Sequence, residues 1–387
     1  MLQKTNQIFF ALLRSAICGT KLTNQEKQEC SPDKLNSFLK LALRHDVAHL
    51  LIWGLKQNGL ILQNGKELDK YVLKAIYRYE LIKNEYEKLC KSFEEAQISF
   101  LPLKGMILRK YYPEVWMRTS CDIDVLIHRE QLDKIIAYLS KTLNYVEKER
   151  ATHDVALLSP TGVHIEIHFD LVEEGRANNA IDVLSSVWDN AILSQNSKYL
   201  YEMPDEFFYV YHIAHMAKHF ENGGCGIRPF IDLWILDHLA EADKYKRDEL
   251  LSKANLLPFA DSCRTLSEVW FGKTEINDLT CQMQEFLLHG GVYGSTDNRV
   301  AIQQKKRGGR IGYLFSRIFI PYAKLKRYYP ILEKHRWLMP LMQVRRWFML
   351  MNPEIAKMAK KELEVNAIIE ETKAEELNHF LNNIGLK

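Results

Sequence analysis

The chain has 387 residues, 47% apolar and 26% charged, with a net charge of +3. That make-up is that of a globular protein of roughly two to three domains with its own core, and it excludes a low-complexity chain. No apolar run reaches the roughly eighteen residues a spanning helix needs, and seven scattered cysteines without a C-x-x-C suit a reducing cytoplasm with free thiols better than a disulfide framework.

In chain order, residues 1–96 read as a helical region. The first twenty residues resemble a weak signal peptide. Their apolar run Ile8–Leu13 is short and broken by Arg14, and the amphipathic pattern continues, so we read a helix. Leu35–Leu55 and Leu68–Ala96 carry apolar residues at helical spacing and serve as scaffold. Residues 97–190 form a second region. Residues 97–103 predict a short strand, Lys104-Gly105 a turn, and Met106–Tyr111 a helix that Pro113 ends. A glycine at such a turn lets backbone approach a phosphate, and the helix N-terminus favours the anion. A strand over 122–127 follows, then a helix over 129–143. Residues 153–159 and 163–171 flank Ser159-Pro160-Thr161-Gly162 as a hairpin. Residues 191–290 read as a helical domain lining the cleft, with His212, His215 and His219 near one another on the 205–220 helix. Arg228 and Asp232, four apart, predict an ion pair within the next helix. Residues 291–387 are a basic, aromatic-rich segment and a charged C-terminal helix over 353–380, with a mobile polar loop expected at 289–310.

Residues two apart on a strand share a face. Asp122 and Asp124 therefore project together, and Ile123, Val125 and Ile127 turn into a core. In the hairpin's second arm Ile165, Ile167, Phe169 and Leu171 face the core, while His164, Glu166, His168 and Asp170 face outward. Side-by-side carboxylates repel unless a cation lies between them. Asp122, Asp124 and Glu166 thus point to a divalent metal, Mg²⁺ being the usual partner of oxygen ligands and phosphates. On that view Asp124→Asn relieves repulsion and leaves the metal-free protein as stable as before, or more so. Arg118 faces either a triphosphate or a neighbouring carboxylate. His168 is a site residue or a structural hydrogen-bonding group. A zinc role for His212, His215 and His219 is disfavoured, because no cysteine or acid cluster accompanies them.

The stretches KGMILRKYY, R-x₃-DIDVLI, HIEIH, H-x₂-H-x₃-H and GIRPFIDL resemble the uncharacterised bacterial nucleotidyltransferase family of the polymerase-β-like superfamily, over roughly 35–290. The resemblance implies that Gly105 is the glycine of the phosphate-binding turn and that Lys104 departs from the superfamily's usual glycine-serine pattern there. It also implies that Asp122 and Asp124 are the metal-binding pair and that Glu166 is the third acid. The implied fold is α/β with large helical additions (α+β), a small mixed sheet between helical segments. The implied activity is Mg²⁺-dependent transfer of a nucleoside monophosphate from an NTP to a sugar, small-molecule, protein or RNA acceptor. Lys104, Gly105, Arg118 and His168 are the residues expected around the nucleotide. Two other readings stay open: a catalytically idle nucleotide-binding or membrane-surface scaffold, and a metal hydrolase using His164, His168 and the 212–219 histidines.

Residues 301–350 hold twelve Lys/Arg against one acid, Glu333, which leaves the rest of the chain net negative by roughly eight charges. The segment fits RNA, an anionic membrane surface or a solvated rim. The expected location is the cytoplasm, with peripheral contact at the inner membrane surface as one option.

Overall fold

The computed structural model describes residues 2–60, 65–171, 180–239 and 241–386. It divides into two compact units, Met1–Met216 with Gly226–Gln284, and Ala217–Cys225 with Glu285–Lys387.

The first unit is helical around one five-stranded mixed sheet. Its strands are β1 (Phe100–Pro102), β2 (Asp122–Ile127), β3 (Val146–Arg150), β4 (Asp154–Leu158) and β5 (His164–His168), in the order β1-β2-β5-β4-β3. β2 and β5 run parallel, and the other pairs are antiparallel. Alternation puts Ile123, Val125, Ile127, Ile165 and Ile167 on one face. There they meet Leu89 and Phe93 of the Gly65–Glu95 helix and Ile135 and Leu139 of the Leu132–Leu143 helix, all essentially without exposure. Burying that many aliphatic side chains is the main force that fixes the sheet's orientation.

Local details differ from the sequence reading. β1 is shorter than 97–103, because the long helix ends in a left-handed residue, Gln97 (φ 56), and the Ile98 N–H closes back on the Phe93 carbonyl at 2.9 Å. β3 was not expected. Its five residues are all exposed, and its charges suit the edge position it takes. The periodic stretch 35–55 is two helices, Pro32–Arg44 and Ala48–Gln57, broken where Asp46 turns left-handed (φ 54). The N-terminal Leu2–Cys18 helix is part of the unit's core. Phe9, Leu12 and Leu13 have no exposure, and Phe10 stacks on Trp270 at 4.2 Å between ring centres.

His45 and His49 flank that break and are buried, His49 donating from Nε2 to the Met117 carbonyl at 2.8 Å. Burial pushes both imidazoles down to about 4. The unfolded chain takes up these protons first as pH falls through about 6.5, so each histidine removes stability between there and pH 4. The effect is on the order of 3 kcal/mol per residue at most. Denaturant melts at pH 7 and pH 5 should show lower stability at pH 5, with the gap narrowed in His45→Phe.

The second unit corrects the loop expected at 289–310. Thr296–Lys306 is a helix. Ser295 caps it by accepting from the Asn298 N–H at 3.0 Å, and Val300, Ala301 and Ile302 are buried. The glycine-rich turn at 222–226 closes against it. A Cβ on Gly294 would lie 2.4 Å from the Gly223 carbonyl oxygen, so only glycine fits. The charged tail is two helices, Pro353–Ile368 and Glu371–Asn383.

Candidate active site

The sheet's second face carries the polar set. Asp124 on β2 lies directly across from Glu166 on β5, and Asp122 across from His164. Asp124 is 2% exposed, and Asp122 and Glu166 are half-buried. His168, expected to face outward, is buried at 3%, with the His153 ring centre 5.8 Å away and the Asp124 and Glu166 carboxylates beside it. Its Nε2 lies 3.0 Å from Asp124 Oδ1 and 3.3 Å from Glu166 Oε2.

The cation that neighbouring carboxylates call for is supplied within the chain. Lys104 Nζ sits 2.9 Å from Asp124 Oδ1 and 4.0 Å from Glu166 Oε2. Burial works against the ammonium, but Asp124, Tyr211, Glu166 and Asp122 outweigh it and hold Lys104 well above its ordinary value. Burial likewise opposes the Asp124 carboxylate, and Lys104 and His168 reverse this, keeping it well below the usual range. His168 follows the same logic: burial lowers it, and the hydrogen bonds to Asp124 and Glu166 raise it on balance. Among the described residues Asp122 has no such close partner. Burial and the Asp124 charge push it up, and more distant Lys104, Arg228 and Arg118 only temper this.

Lys104 holds its place under strain. Its backbone angles are φ 43, ψ −114, a region that side chains other than glycine enter at a cost of about 1–3 kcal/mol. The chain thus keeps a glycine-type turn and puts a lysine in it. Gly105 opens the Gly105–Leu108 helix at ordinary angles, and what it provides is closeness. A Cβ there would lie 3.2 Å from Ser120 Cβ. Arg109 ties the two segments, donating to the Gly105 carbonyl and to Ser120 Oγ, both at 2.9 Å. Comparing Lys104→Gly with Lys104→Ala isolates the strain, since both lack the ammonium. The glycine protein is expected to be the more stable by about 1 kcal/mol or more in denaturant melts.

Arg118 is committed to structure. Its Nε donates to Asp232 at 2.8 and 3.0 Å, and its Nη1 to the Thr119 carbonyl at 2.7 Å. Tyr112 also donates to Asp232, at 2.6 Å. The ion pair expected between Arg228 and Asp232 is therefore not formed. Arg228 donates instead to the Thr119 carbonyl at 2.8 Å and to Asp46 at 3.2 Å. The two residues, one turn apart on the Arg228–Asp237 helix, each grip the segment that leads into β2.

The 205–220 region is the helix Asp205–Glu221. It contributes Tyr211, buried beside the Lys104 ammonium, its hydroxyl raised by burial. Nothing in the local sequence marked it out from other aromatic core residues. His212 turns away and donates to the Pro229 carbonyl at 3.0 Å. Among the described residues no metal-capable group includes His212, His215 or His219, and His164 is exposed.

Asp124, Glu166 and His168 form a group whose ligand atoms all lie within 4.8 Å. Asp122 is outside it, on the same strand face. Three acids against one ammonium leave the set net negative, and its donors are mainly carboxylate oxygens. It therefore fits a hard divalent cation. Asp124 and Glu166 are thus paired across parallel strands of a small mixed sheet, with Lys104 at the adjoining strand–helix turn. Residues 31–272 match the family described as uncharacterised nucleotidyltransferase, and the chain belongs to that family. Membership supports nucleotidyl transfer as its chemistry. No curated protein and no solved structure matches the chain.

Proposed function

We propose that this protein is an Mg²⁺-dependent enzyme that moves a nucleoside monophosphate from an NTP to an acceptor hydroxyl or phosphate. The observation that carries the reading is the register of β2 on β5, which sets Asp124 beside Glu166 within a family-matched segment. The acceptor oxygen attacks the α-phosphorus, the bond to the β-phosphate oxygen breaks, and pyrophosphate leaves. Asp122, Asp124 and Glu166 would hold the cation, which when bound neutralises triphosphate charge and acidifies the acceptor. Glu166, half-buried, takes the acceptor's proton. His168 orients Asp124 and Glu166. Lys104 is a point charge for the phosphates, and Gly105 allows its turn to lie close to Ser120. Arg118 acts through Asp232, by fixing the approach to β2. We take residues 97–190 as the catalytic core and the cytoplasm as the location.

Incubation with each α-labelled NTP, Mg²⁺ and a cell extract should yield a labelled product and pyrophosphate. Absence of product with all four NTPs, together with no thermal shift from Mg²⁺-NTP, would sink the reading and leave a non-catalytic scaffold.

A further inference from the structure

In the second unit the Gly309–Ile318 helix buries Tyr313 on one side. Tyr313, 2% exposed, hydrogen-bonds to Glu362, and Arg317 pairs with the same carboxylate. Ile311, Leu314, Phe315 and Ile318 lie three and four apart and so share a face. That face is exposed, Ile311 at 70% and Phe315 at 57%. Leu341, Val344 and Phe348 make a second exposed row along the Met339–Trp347 helix and the turn after it. The rows adjoin. Trp347 Nε1 donates to the Ile318 carbonyl at 3.0 Å, and the Phe319 and Trp347 rings meet edge-on at 5.6 Å. Contiguous apolar surface of this kind on a protein marks an interaction site.

Charge selects the occupant. The same segment, 301–350, has twelve Lys/Arg and one acid. A nucleic acid would use the charge and the rings, but it offers nothing to Ile311, Leu314, Ile318, Leu341 and Val344. A second copy would set the excess positive charge against itself. An anionic lipid surface satisfies both features: the acyl boundary takes the aliphatic and aromatic side chains, and headgroup phosphates take the basic ones. We propose that these two rows dock the protein on the surface of an anionic bilayer, lying in the interface. No helix among the described residues is long and apolar enough to cross a membrane. The proposal goes beyond the transferase reading and does not depend on it.

The test is sedimentation of the full chain with phosphatidylglycerol vesicles and with phosphatidylcholine vesicles, without nucleotide or metal. Binding is expected to the first, at least about tenfold weaker to the second, and reduced by salt. Phe315→Glu and Leu341→Glu lie on different rows at exposed positions. Each is expected to weaken vesicle binding about tenfold, with circular dichroism and thermal midpoint as in the wild type. No binding to phosphatidylglycerol, or equal binding by either folded variant, overturns the proposal. So does self-association in light scattering that Phe315→Glu abolishes, or binding to polyuridylate that is tighter than to vesicles and lost in both variants.

Discussion

Asp124→Asn is expected to reduce nucleotidyl transfer by about 10²–10³-fold, the cost of removing one charge-stabilising group from a preorganised site. The same change is expected to lower the stability of the metal-free protein by about 1–3 kcal/mol, the cost of leaving buried charged partners unsatisfied. The sign of this second effect is opposite to what two adjacent carboxylates suggest in sequence. Repulsion from Asp122 is real, but Lys104 Nζ at 2.9 Å and His168 Nε2 at 3.0 Å lie against the carboxylate and favour its charge. Glu166→Gln provides the contrast. Its carboxylate is half-buried, so activity should fall with little change in the melting temperature. Melting temperatures of wild type and both variants, with and without Mg²⁺ and NTP, and transfer rates alongside, check these statements. An Asp124→Asn protein that keeps its rate and its response to Mg²⁺-NTP would remove Asp124 from the reaction.

Asp232→Ala is expected to cost about 3–5 kcal/mol of stability, the usual result of breaking a buried ion pair from one side. Asp232 has no exposure, and it accepts from both Arg118 and Tyr112, themselves buried. Removing it leaves a guanidinium in low dielectric with only the Thr119 carbonyl. Arg118→Met added to Asp232→Ala should recover part of the loss, because the uncompensated charge is then gone. Urea unfolding of the two proteins measures this directly. A loss under about 1 kcal/mol for Asp232→Ala would mean that water reaches the pair and that the contact does not brace β2.

The strand pattern and the shared face of Asp122, Asp124 and Glu166 were legible because a strand of period two with one face in the core leaves few alternatives. β2 spans Asp122–Ile127, the stretch read as a strand from DIDVLI. What the sequence left hidden depends on neighbours distant along the chain. His168 looked solvent-facing because its own strand places it on the polar face, and only the packing over that face buries it. Tyr211 lies on a helix rich in aromatics and is set apart from them only by Lys104. Asp46, at a helix break, accepts from Arg78, Thr119 and Arg228, contacts spanning 32, 73 and 182 positions. Arg228 and Asp232 had the spacing of a helical pair, yet each found a better partner in the 118–119 segment. The Thr296–Lys306 helix was hidden by polar composition, although Ser295 and Asn298 carried a capping signal.

The parallel register of β2 and β5 sets where the chain tolerates changes in length. Between Ser159 and Val163 the turn closes on itself, through the Gly162 N–H to the Ser159 carbonyl at 3.0 Å. An inserted residue there only enlarges the turn. One residue inserted between His164 and Glu166 would instead send Glu166 to the aliphatic face and bring Ile165 or Ile167 toward Lys104. Two inserted residues would restore the faces and still carry Glu166 roughly 7 Å along the strand, away from Asp124. Length variation among relatives should therefore gather in the turn and stop at His164.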